Sequence, residues 1–361
     1  MTAVSCAAKR NPIIEEDVAR IVAHNLPWRT FANKTVLVSG ANGFLPAYMV
    51  ETLLYLNEVD RSMNCRVIGL ARNREKARKR FAHFLDRPDF AVVIQDVTAP
   101  AAIPVPVDFI IHAASQASPK YYGSDPVGTL AANSLGTYNL LSFARNCRAE
   151  GFLFISSGDV YGQVAESQIP TKEDWFGYLD PNQVRACYGE SKRIGETMCA
   201  AFGHQFGISA KIVRPTHTYG PGMSMDDGRV YADFVANIVR REDIVLKSDG
   251  TARRAFCYLA DAALAFFTVL LKGERGQAYN VGNEACESSV AELARMLVGL
   301  FPERGLSLRF ETSPAPAGYI RSKVSRGSLD TTKLRSLGWR PTTTLQEGFK
   351  RTVMSYEEQQ R

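Results

Sequence analysis

Short apolar runs alternate with segments of helical periodicity along the first two thirds of the chain. The apolar runs occupy residues 35–39, 66–71, 91–96, 107–114, 152–157 and 210–215. Helical patterns follow them near 44, over 75–81, over 127–147 and over 188–206. Strands that alternate with helices are typical of a parallel sheet with helices on both faces. The pattern therefore predicts an α/β fold with a Rossmann-type doubly wound parallel sheet.

The chain preceding this alternation has a different pattern. Ile14, Val18, Ile21 and Val22 stand at helical spacing, which predicts a short amphipathic helix within residues 12–30. We expect this helix to pack on the protein's own core.

After residue 215 the pattern becomes irregular, with loops rich in Gly, Asp and Arg. Helical spacing returns near 288–301 and 344–356. This region is expected to form a smaller substrate-binding lobe built onto the sheet. The predicted organisation is an N-terminal helical extension (1–34), a Rossmann domain with the cofactor and catalytic residues (35–215) and a mainly substrate-binding lobe interleaved with it (216–361).

Composition and charge narrow the class of protein. Of 361 residues, 45% are hydrophobic and 22% charged, which is ordinary for a globular protein. The net charge of +6 is spread along the chain without a long basic run, so nucleic acid is not an expected partner. The chain shows no signal-peptide pattern and no stretch of about 20 apolar residues, so we expect a soluble protein that does not enter membranes.

Seven cysteines are scattered singly between Cys6 and Cys286. Their odd number and the absence of Cys-x-x-Cys argue against a disulfide framework and against a metal site. This usage is typical of a reducing compartment and predicts a cytoplasmic protein.

A glycine-containing turn joins the first predicted strand to the first helix. Gly40 and Gly43 lie in the segment SGANGFLP (39–46), just before the helix that begins near Phe44. Such glycines permit a tight turn and let backbone N–H groups approach a pyrophosphate at a helix N-terminus. Pro46 replaces the third glycine of the usual pattern, and proline is tolerated in a first helical turn. The turn predicts a dinucleotide site.

The end of the second strand bears on the choice between NAD and NADP. An acidic residue there would bind the ribose hydroxyls, but this chain has Ala71-Arg72-Asn73 and no carboxylate at that point. Arg72 could hold a 2′-phosphate, or it could be a solvated surface charge. Asp96, after the third strand, is expected to meet the adenine edge. The cofactor is therefore NAD or NADP, with a slight preference for NAD.

Tyr188 and Lys192 stand four residues apart on a predicted helix and hence on one face. A free phenol, with a pKa of about 10, is a poor base at neutral pH. A nearby ammonium and a nicotinamide cation would favour the phenolate, which could then take a proton from a substrate hydroxyl. Ser157, at the end of the preceding strand, supplies a hydroxyl for the reacting oxygen.

From about residue 35 to its end, the chain resembles the extended short-chain dehydrogenase/reductase (NAD-dependent epimerase/dehydratase) family, and within it UDP-glucuronate decarboxylases most. The similar stretches are HAASQASPKYYGSDPVGTL (112–130), NSLGTYNLL (133–141), RACYGESKR (185–193), TYGPGMSMDDGRV (218–230), RRAFCYLAD (253–261), YNVGN (279–283) and DTTKLRSLGWRP (330–341). The resemblance implies an NAD(P)-dependent enzyme that acts on nucleotide sugars, with UDP-sugars favoured.

The resemblance also implies roles for particular residues. The cofactor would contact Gly40, Gly43, Phe44, Arg72, Asp96, Val97 and Ala113, with Tyr188 and Lys192 on the catalytic side. Arg229, Arg254 and Arg326 would lie near the substrate diphosphate, because a guanidinium matches phosphate geometry. The sugar end would be met by Tyr122 and Arg185, and by His217, which stands where the family usually has Asn.

One motif departs from the family. Decarboxylases carry Thr-Ser-Glu and hexose 4,6-dehydratases Thr-Asp-Glu where this chain has Ser157-Gly158-Asp159. Gly158 removes the dehydratase acid, and Asp159 keeps a carboxylate one methylene shorter than Glu. Since a displacement of about 1 Å can cost about 10²-fold in rate, the family's chemistry need not carry over intact.

These observations favour a nucleotide-sugar decarboxylase whose catalytic residues are Ser157, Asp159, Tyr188 and Lys192. The reaction would oxidise C4, lose CO₂ from the resulting β-keto acid and reduce C4 again. A 4-epimerase, a 4-keto reductase and a 4,6-dehydratase remain alternatives, and a non-catalytic dinucleotide sensor is a distant one. The helices near 127–147 and 188–206 could form the dimer bundle common in the family, so a homodimer is expected.

Overall fold

The computed structural model describes residues 9–311 and 325–358. The helices of these residues are α1 (Pro12–Ala23), α2 (Phe44–Val59), α3 (Arg74–Arg80), α4 (Lys120–Ser124), α5 (Pro126–Asn133), α6 (Leu135–Cys147), α7 (Ala186–Phe206), α8 (Val230–Arg240), α9 (Leu259–Lys272), α10 (Val290–Leu300), α11 (Thr332–Ser336) and α12 (Leu345–Glu358). Within the described ranges, none of the helices is long and apolar enough to cross a membrane.

Strands alternate with these helices along the chain. They are β1 (Thr35–Ser39), β2 (Arg66–Ala71), β3 (Phe90–Ile94), β4 (Phe109–His112), β5 (Gly151–Ile155), β6 (Ala210–Pro215), β7 (His217–Tyr219), β8 (Ile244–Leu246), β9 (Arg253–Tyr258), β10 (Ala278–Val281), β11 (Glu287–Ser289), β12 (Leu308–Phe310) and β13 (Arg326–Gly327).

Seven of the strands form one parallel sheet in the order β10-β6-β5-β4-β1-β2-β3. Its central strands β4 and β5 are buried at every position, because helices cover both faces of the sheet. The predicted α/β fold with a doubly wound parallel sheet is confirmed. The carboxyl ends of all seven strands lie along the same edge, where ligands bind in such sheets.

A smaller sheet lies beside this edge. Its order is β11-β9-β13, and β7 also pairs with β9. Strand β11 runs antiparallel to β9, whereas β13 and β7 run parallel to it. Strand β10 pairs with β6 in the large sheet, and α9 packs on β5 and β6, so the region after residue 215 contributes to both sheets. The Rossmann region and the region after residue 215 are therefore interleaved, while the exact division at residue 215 stays a prediction.

Several element boundaries differ from the sequence prediction. The pattern over 12–30 forms a helix only to Ala23, because Pro27 cannot continue a helix and restricts the residue before it. The segment 127–147 forms two helices that meet at Ser134. Helix α9 escaped prediction because it is buried from Leu259 to Leu270 and so has no polar face to produce a helical period.

Helix α1 packs against α2, α9 and α12. Its Asp17 side chain is fully buried and accepts hydrogen bonds from the hydroxyls of Tyr48 (3.1 Å) and Tyr258 (2.6 Å) and from Arg351 Nη2 (2.8 Å). Burial raises the pKa of Asp17, and the hydrogen bond from Tyr258 and the charge of Arg351 oppose that rise. One buried carboxylate thus connects the N-terminal helix to α2, β9 and α12.

We expect Arg351→Leu to lower the free energy of unfolding by about 3–5 kcal/mol at neutral pH, because it leaves the Asp17 charge buried without a cation. The loss should shrink as the pH falls through the raised pKa of Asp17, since the protonated carboxyl needs no partner. Urea unfolding at neutral and acidic pH measures both effects.

Arg20→Leu is the matched control for this prediction. It breaks the exposed Arg20–Glu347 pair (3.2 Å) between the same two helices, α1 and α12. Exposed pairs contribute about 0–1 kcal/mol, so this variant should unfold nearly like the wild type. Equal losses in the two variants would show that the buried carboxylate has no special role.

Candidate functional site

The glycine turn after β1 is shaped for a close approach of backbone to ligand. Gly40 has φ +65°, a conformation that L-residues rarely adopt, and a Cβ at this position would lie 2.7 Å from Cα of Ala114. The Gly43 N–H donates to the Gly40 carbonyl (2.7 Å), and α2 begins at Phe44. No side chain caps this helix, so its first N–H groups are available to an anion. The turn therefore fits the pyrophosphate of a dinucleotide.

A buried polar network supports the turn from behind. Ser39 Oγ accepts from the backbone N–H groups of Ala113 (3.1 Å) and Ala114 (3.2 Å) and lies 2.8 Å from His112 Nδ1. The other ring nitrogen of His112 lies 3.0 Å from Thr137 Oγ1. Burial, with a smaller effect of the Lys192 charge, lowers the pKa of His112 to about 3, so the ring is neutral. Ser39 and His112 were not singled out from sequence, although each ends a strand beside a motif.

The other predicted cofactor residues lie at neighbouring strand ends. Arg72 follows β2 and Asp96 follows β3, with Arg72 Nη1 and Asp96 Oδ2 3.8 Å apart and both side chains exposed. Asp96 Oδ1 accepts from the backbone and the hydroxyl of Thr98, each at 2.9 Å. The carbonyl of buried Val97 accepts from Asn139 on α6 (3.0 Å). The structure thus brings these residues to the same sheet edge as Gly40 and Ala113.

Tyr188 and Lys192 lie one turn apart on α7, as the spacing predicted, and both are buried. Lys192 Nζ donates to the carbonyl of Ile155 (2.7 Å) at the end of β5 and lies 5.8 Å from the centroid of the Tyr188 ring. Burial lowers the pKa of Lys192 to about 7. Burial and the charge of Asp159 raise the pKa of Tyr188 to about 12.

Ser157 and Asp159 are placed by a short 3-10 helix over Gly158–Tyr161. Ser157 caps this helix, with its Oγ accepting from the Asp159 N–H (3.1 Å). The same hydroxyl hydrogen-bonds Tyr188, which partly opposes the rise in that phenol's pKa. The structure therefore brings together all four residues that were predicted to be catalytic.

Tyr122 stacks on Tyr188, with ring centroids 5.1 Å apart and an interplanar angle of 18°. Its hydroxyl donates to the carbonyl of Ala117 (3.0 Å), which also accepts from Arg229 Nη2 (2.7 Å). The Arg185 guanidinium lies 5.6 Å from the Tyr122 ring. These contacts place two of the predicted substrate arginines, Arg229 and Arg185, beside the Tyr122–Tyr188 stack.

His217 and Arg254 share one face of the small sheet. His217 on β7 pairs with Phe256, and Arg254 lies two residues before Phe256 on β9, so the side chains point to the same side. Burial, followed by the charges of Arg254 and Arg229, lowers the pKa of His217 to about 3. His217 is therefore a neutral ring close to both arginines.

Arg326 occupies the opposite face of that sheet. It pairs with Arg253 in the register, and its Nε and Nη2 donate to the two carboxylate oxygens of Glu287 (2.8 and 3.1 Å). The structure does not bring Arg326 together with Arg229 and Arg254. Its contact with a diphosphate stays a prediction.

Sequence reasoning missed a second carboxylate close to Tyr188. Asp227 lies 3.2 Å from Arg229, and its negative charge adds to the rise in the pKa of Tyr188. Burial raises the pKa of Asp227 itself. The preceding residue, Asp226, is largely exposed and pairs with Lys120. No pattern along the chain distinguishes the buried carboxylate from this exposed one.

A parallel sheet with a glycine turn after β1 and a Ser-Tyr-Lys constellation at the same edge defines the short-chain dehydrogenase/reductase class. Residues 36–282 match the model of the NAD dependent epimerase/dehydratase family, and the chain belongs to that family. It is therefore an enzyme of the group that modifies nucleotide sugars. The resemblance inferred from the sequence motifs is confirmed.

Curated relatives include UDP-glucuronic acid decarboxylases. The decarboxylase 6 of Arabidopsis thaliana is 33% identical over 320 residues, covering 88% of this chain and 87% of that protein. The decarboxylase 1 of Xenopus tropicalis is 32% identical over 323 residues, covering 89% of this chain and 71% of that protein.

Solved structures show the same fold at lower identity. The UDP-glucose 4-epimerase of Thermotoga maritima, solved with UDP-glucose, is 23% identical with a TM-score of 0.76, covering 91% of this chain and all of that one (100%). The UDP-glucuronic acid 4-epimerase of Bacillus cereus, solved with UDP-glucuronic acid and NAD, is 20% identical with a TM-score of 0.75, covering 90% of this chain and 99% of that chain.

We expect Gly40→Ala to weaken NAD binding by at least about tenfold, the equivalent of 1.4 kcal/mol, because the new methyl group would displace the turn from Ala114. Gly207→Ala is the matched control, since Gly207 also has a positive φ (+77°) but has nothing within 4 Å of an added Cβ. The control should lose about 1 kcal/mol of stability and bind NAD normally. Calorimetric titration with NAD separates the two variants, and equal binding would contradict the assigned turn.

Proposed function

We propose that this enzyme converts a UDP-sugar through a 4-keto intermediate, with decarboxylation of UDP-glucuronate as the preferred reaction. The observation that carries the proposal is the contact of Tyr188 with Ser157, Lys192 and the stacked Tyr122, beside the carboxylate of Asp159. The names of the curated relatives support the same reaction.

In this mechanism, the glycine turn with Gly40 and Gly43 would hold NAD, which would supply a reversible hydride acceptor for sugar C4. Tyr188 takes the proton of the C4 hydroxyl, and Ser157 holds that oxygen by a hydrogen bond. Burial raises the pKa of Tyr188 to about 12, and the Lys192 ammonium, 5.8 Å from the centre of its ring, would stabilise the phenolate. Tyr188 then returns the proton when C4 is reduced again.

Loss of CO₂ follows from the chemistry of the intermediate. A C4 ketone next to C5 makes the C6 carboxylate part of a β-keto acid, which decarboxylates readily. Asp159 is exposed to solvent. Its carboxylate can position the sugar, or it can pass a proton from solvent to C5 after CO₂ has left. Arg229 donates a hydrogen bond to the Ala117 carbonyl, and its guanidinium is the group that we assign to a phosphate of the substrate.

The alternatives use the same residues differently. A 4-epimerase would return hydride to the other face of C4, and a 4-keto reductase would use NADPH once. A 4,6-dehydratase is disfavoured because Gly158 carries no acid where that branch has Asp. A dinucleotide sensor would need none of Ser157, Tyr188 and Lys192.

We expect UDP-glucuronate to yield CO₂ and UDP-xylose, or its 4-keto precursor, without added reductant, because hydride returns to the carbon that it left. Tyr188→Phe should fold normally and lower turnover by about 10²-fold or more, since it removes only the hydroxyl that moves the proton. Tyr178→Phe, at a largely exposed tyrosine, is the control and should be fully active. Mass spectrometry of the products measures both.

The outcome that would overturn this reading is the absence of CO₂ together with NADPH-dependent reduction of a 4-keto sugar nucleotide. In that case the 4-keto reductase becomes the function. Asp159→Asn adds a second comparison, because it should lose most of the decarboxylation rate and bind the UDP-sugar nearly as well as the wild type.

NAD is the proposed cofactor, although Arg72 leaves room for a 2′-phosphate. The family is NAD-dependent by its description, and one solved relative is in complex with NADPH. If Arg72 binds a 2′-phosphate, Arg72→Ala should weaken NADP(H) binding by about ten- to a hundredfold and spare NAD(H). Titration of both cofactors checks this, with Arg74→Ala, at the exposed first residue of α3, as control. Equal effects of Arg72→Ala on NAD(H) and NADP(H) would make Arg72 a surface charge.

We further propose a cytoplasmic homodimer. Exposed apolar side chains lie on α5, α6 and α7, the helices expected to form a dimer bundle: Val127, Leu130, Leu135, Tyr138 and Ile194. Exposed apolar side chains gathered on neighbouring helices are typical of an interface. The cysteines of the described residues are all free, as is usual in a reducing compartment.

A further inference from the structure

A buried ion pair lies one helical turn beyond Lys192. Glu196 on α7 accepts two hydrogen bonds from Arg214 on β6, from Nε to Oε1 (2.9 Å) and from Nη2 to Oε2 (2.7 Å). The side chains are only 13% and 7% exposed. Removing two charges from water costs free energy, so a buried ion pair one turn from Lys192 points to a role in the site.

The same carboxylate contacts the strand end that carries Ser157. Ser156 Oγ donates to Glu196 Oε1 (2.5 Å). Three consecutive residues at the end of β5 therefore bind three residues spaced one turn apart on α7. These contacts are Ser157 with Tyr188, Ile155 with Lys192 and Ser156 with Glu196.

The electrostatic surroundings of Lys192 give Glu196 a second effect. Burial lowers the pKa of Lys192, and the charge of Glu196 is the influence that raises it. From β4 the lysine faces His112, which is neutral, and from β5 it faces the Ile155 carbonyl and the Phe154 ring, 5.0 Å from its Nζ. On α7 itself the lysine also faces the Tyr188 phenol, whose ring centroid lies 5.8 Å from Nζ.

We propose that Glu196 is a positioning residue for this reaction: with Arg214 it holds the Ser156–Ser157 strand end against α7, and its charge keeps Lys192 protonated beside Tyr188. The proposal rests on the proposed function, in which the tyrosine and lysine are catalytic. Glu196 acts through Lys192 and Ser157 and touches no reacting atom.

The charge effect has a definite sign. Removing a negative charge makes proton loss easier for every neighbour, so the pKa values of Lys192 and Tyr188 should both fall. The active form needs Tyr188 deprotonated and Lys192 protonated, so both limbs of the rate profile should move to lower pH. We expect a shift of about one pH unit, as a single nearby charge gives in a partly polar interior. A purely structural defect would lower the rate at every pH without moving the limbs.

The test measures kcat against pH for Glu196→Gln, which keeps the shape and loses the charge. Glu190→Gln is the matched control: it removes a carboxylate from the same helix, but one that pairs with Arg193 at the surface and is 34% exposed. It should keep the wild-type profile. Glu196→Asp, which keeps the charge, should lose rate without a shift.

A second variant and a second readout keep the proposal testable. If Glu196→Gln does not fold, the double variant Glu196→Gln/Arg214→Lys also removes the carboxylate but keeps a cation on β6, and it should show the same acid shift. Ultraviolet titration of the Tyr188 phenolate in the NAD-bound enzyme, as the difference from Tyr188→Phe, reports the shift without any turnover.

Unshifted limbs and an unshifted phenolate titration in these variants would overturn the role of Glu196. That result is distinct from failure of the proposed function, which would appear as a wild type that turns over no nucleotide sugar. In the latter case the phenolate titration still decides whether Glu196 controls the Tyr188–Lys192 pair.

Discussion

The contact between the end of β5 and the first half of α7 is the constraint on which the site depends. A parallel sheet places every carboxyl strand end at one edge, so the glycine turn after β1 and Ser157 after β5 face the same space. The edge alone does not set the distance between a hydroxyl and a phenol. That distance follows from Ile155, Ser156 and Ser157, each of which binds a different turn of α7.

The fold was predictable where apolar periodicity was uninterrupted. The first six strands of the large sheet and helices α2 and α7 follow from short buried runs and from helical spacing. After Pro215 the helices expected near 288–301 and 344–356 form as α10 and α12, but other elements were missed. Burial removes their signal: α9 is apolar on all sides, and the small sheet consists of strands of two to six residues. Strand β10 joins the large sheet through a pairing with β6 that no local pattern encodes.

The site was predictable as far as its residues lie in local motifs. Gly40, Ser157, Tyr188 and Lys192 each stand at a strand end or at helical spacing. The structure brings together Ser157, Asp159, Tyr188 and Lys192, which were predicted to be catalytic. Arg326 could not be assigned to a face, because the register of a two-residue strand depends on partners far along the chain. Glu196 could have been noticed from its spacing after Lys192, but its meaning depends on Arg214 from another strand.

Burial works against both charged forms that the mechanism needs. It raises the pKa of Tyr188 and lowers that of Lys192, so the unliganded protein favours the neutral phenol and holds the lysine near its titration point. The Ser157 hydrogen bond opposes the first shift and the Glu196 charge opposes the second. The charges of Asp159 and Asp227 raise the pKa of Tyr188 further, whereas the charge of Arg229 lowers it. The phenolate therefore depends on added positive charge, and an oxidised nicotinamide held at the glycine turn would supply that charge.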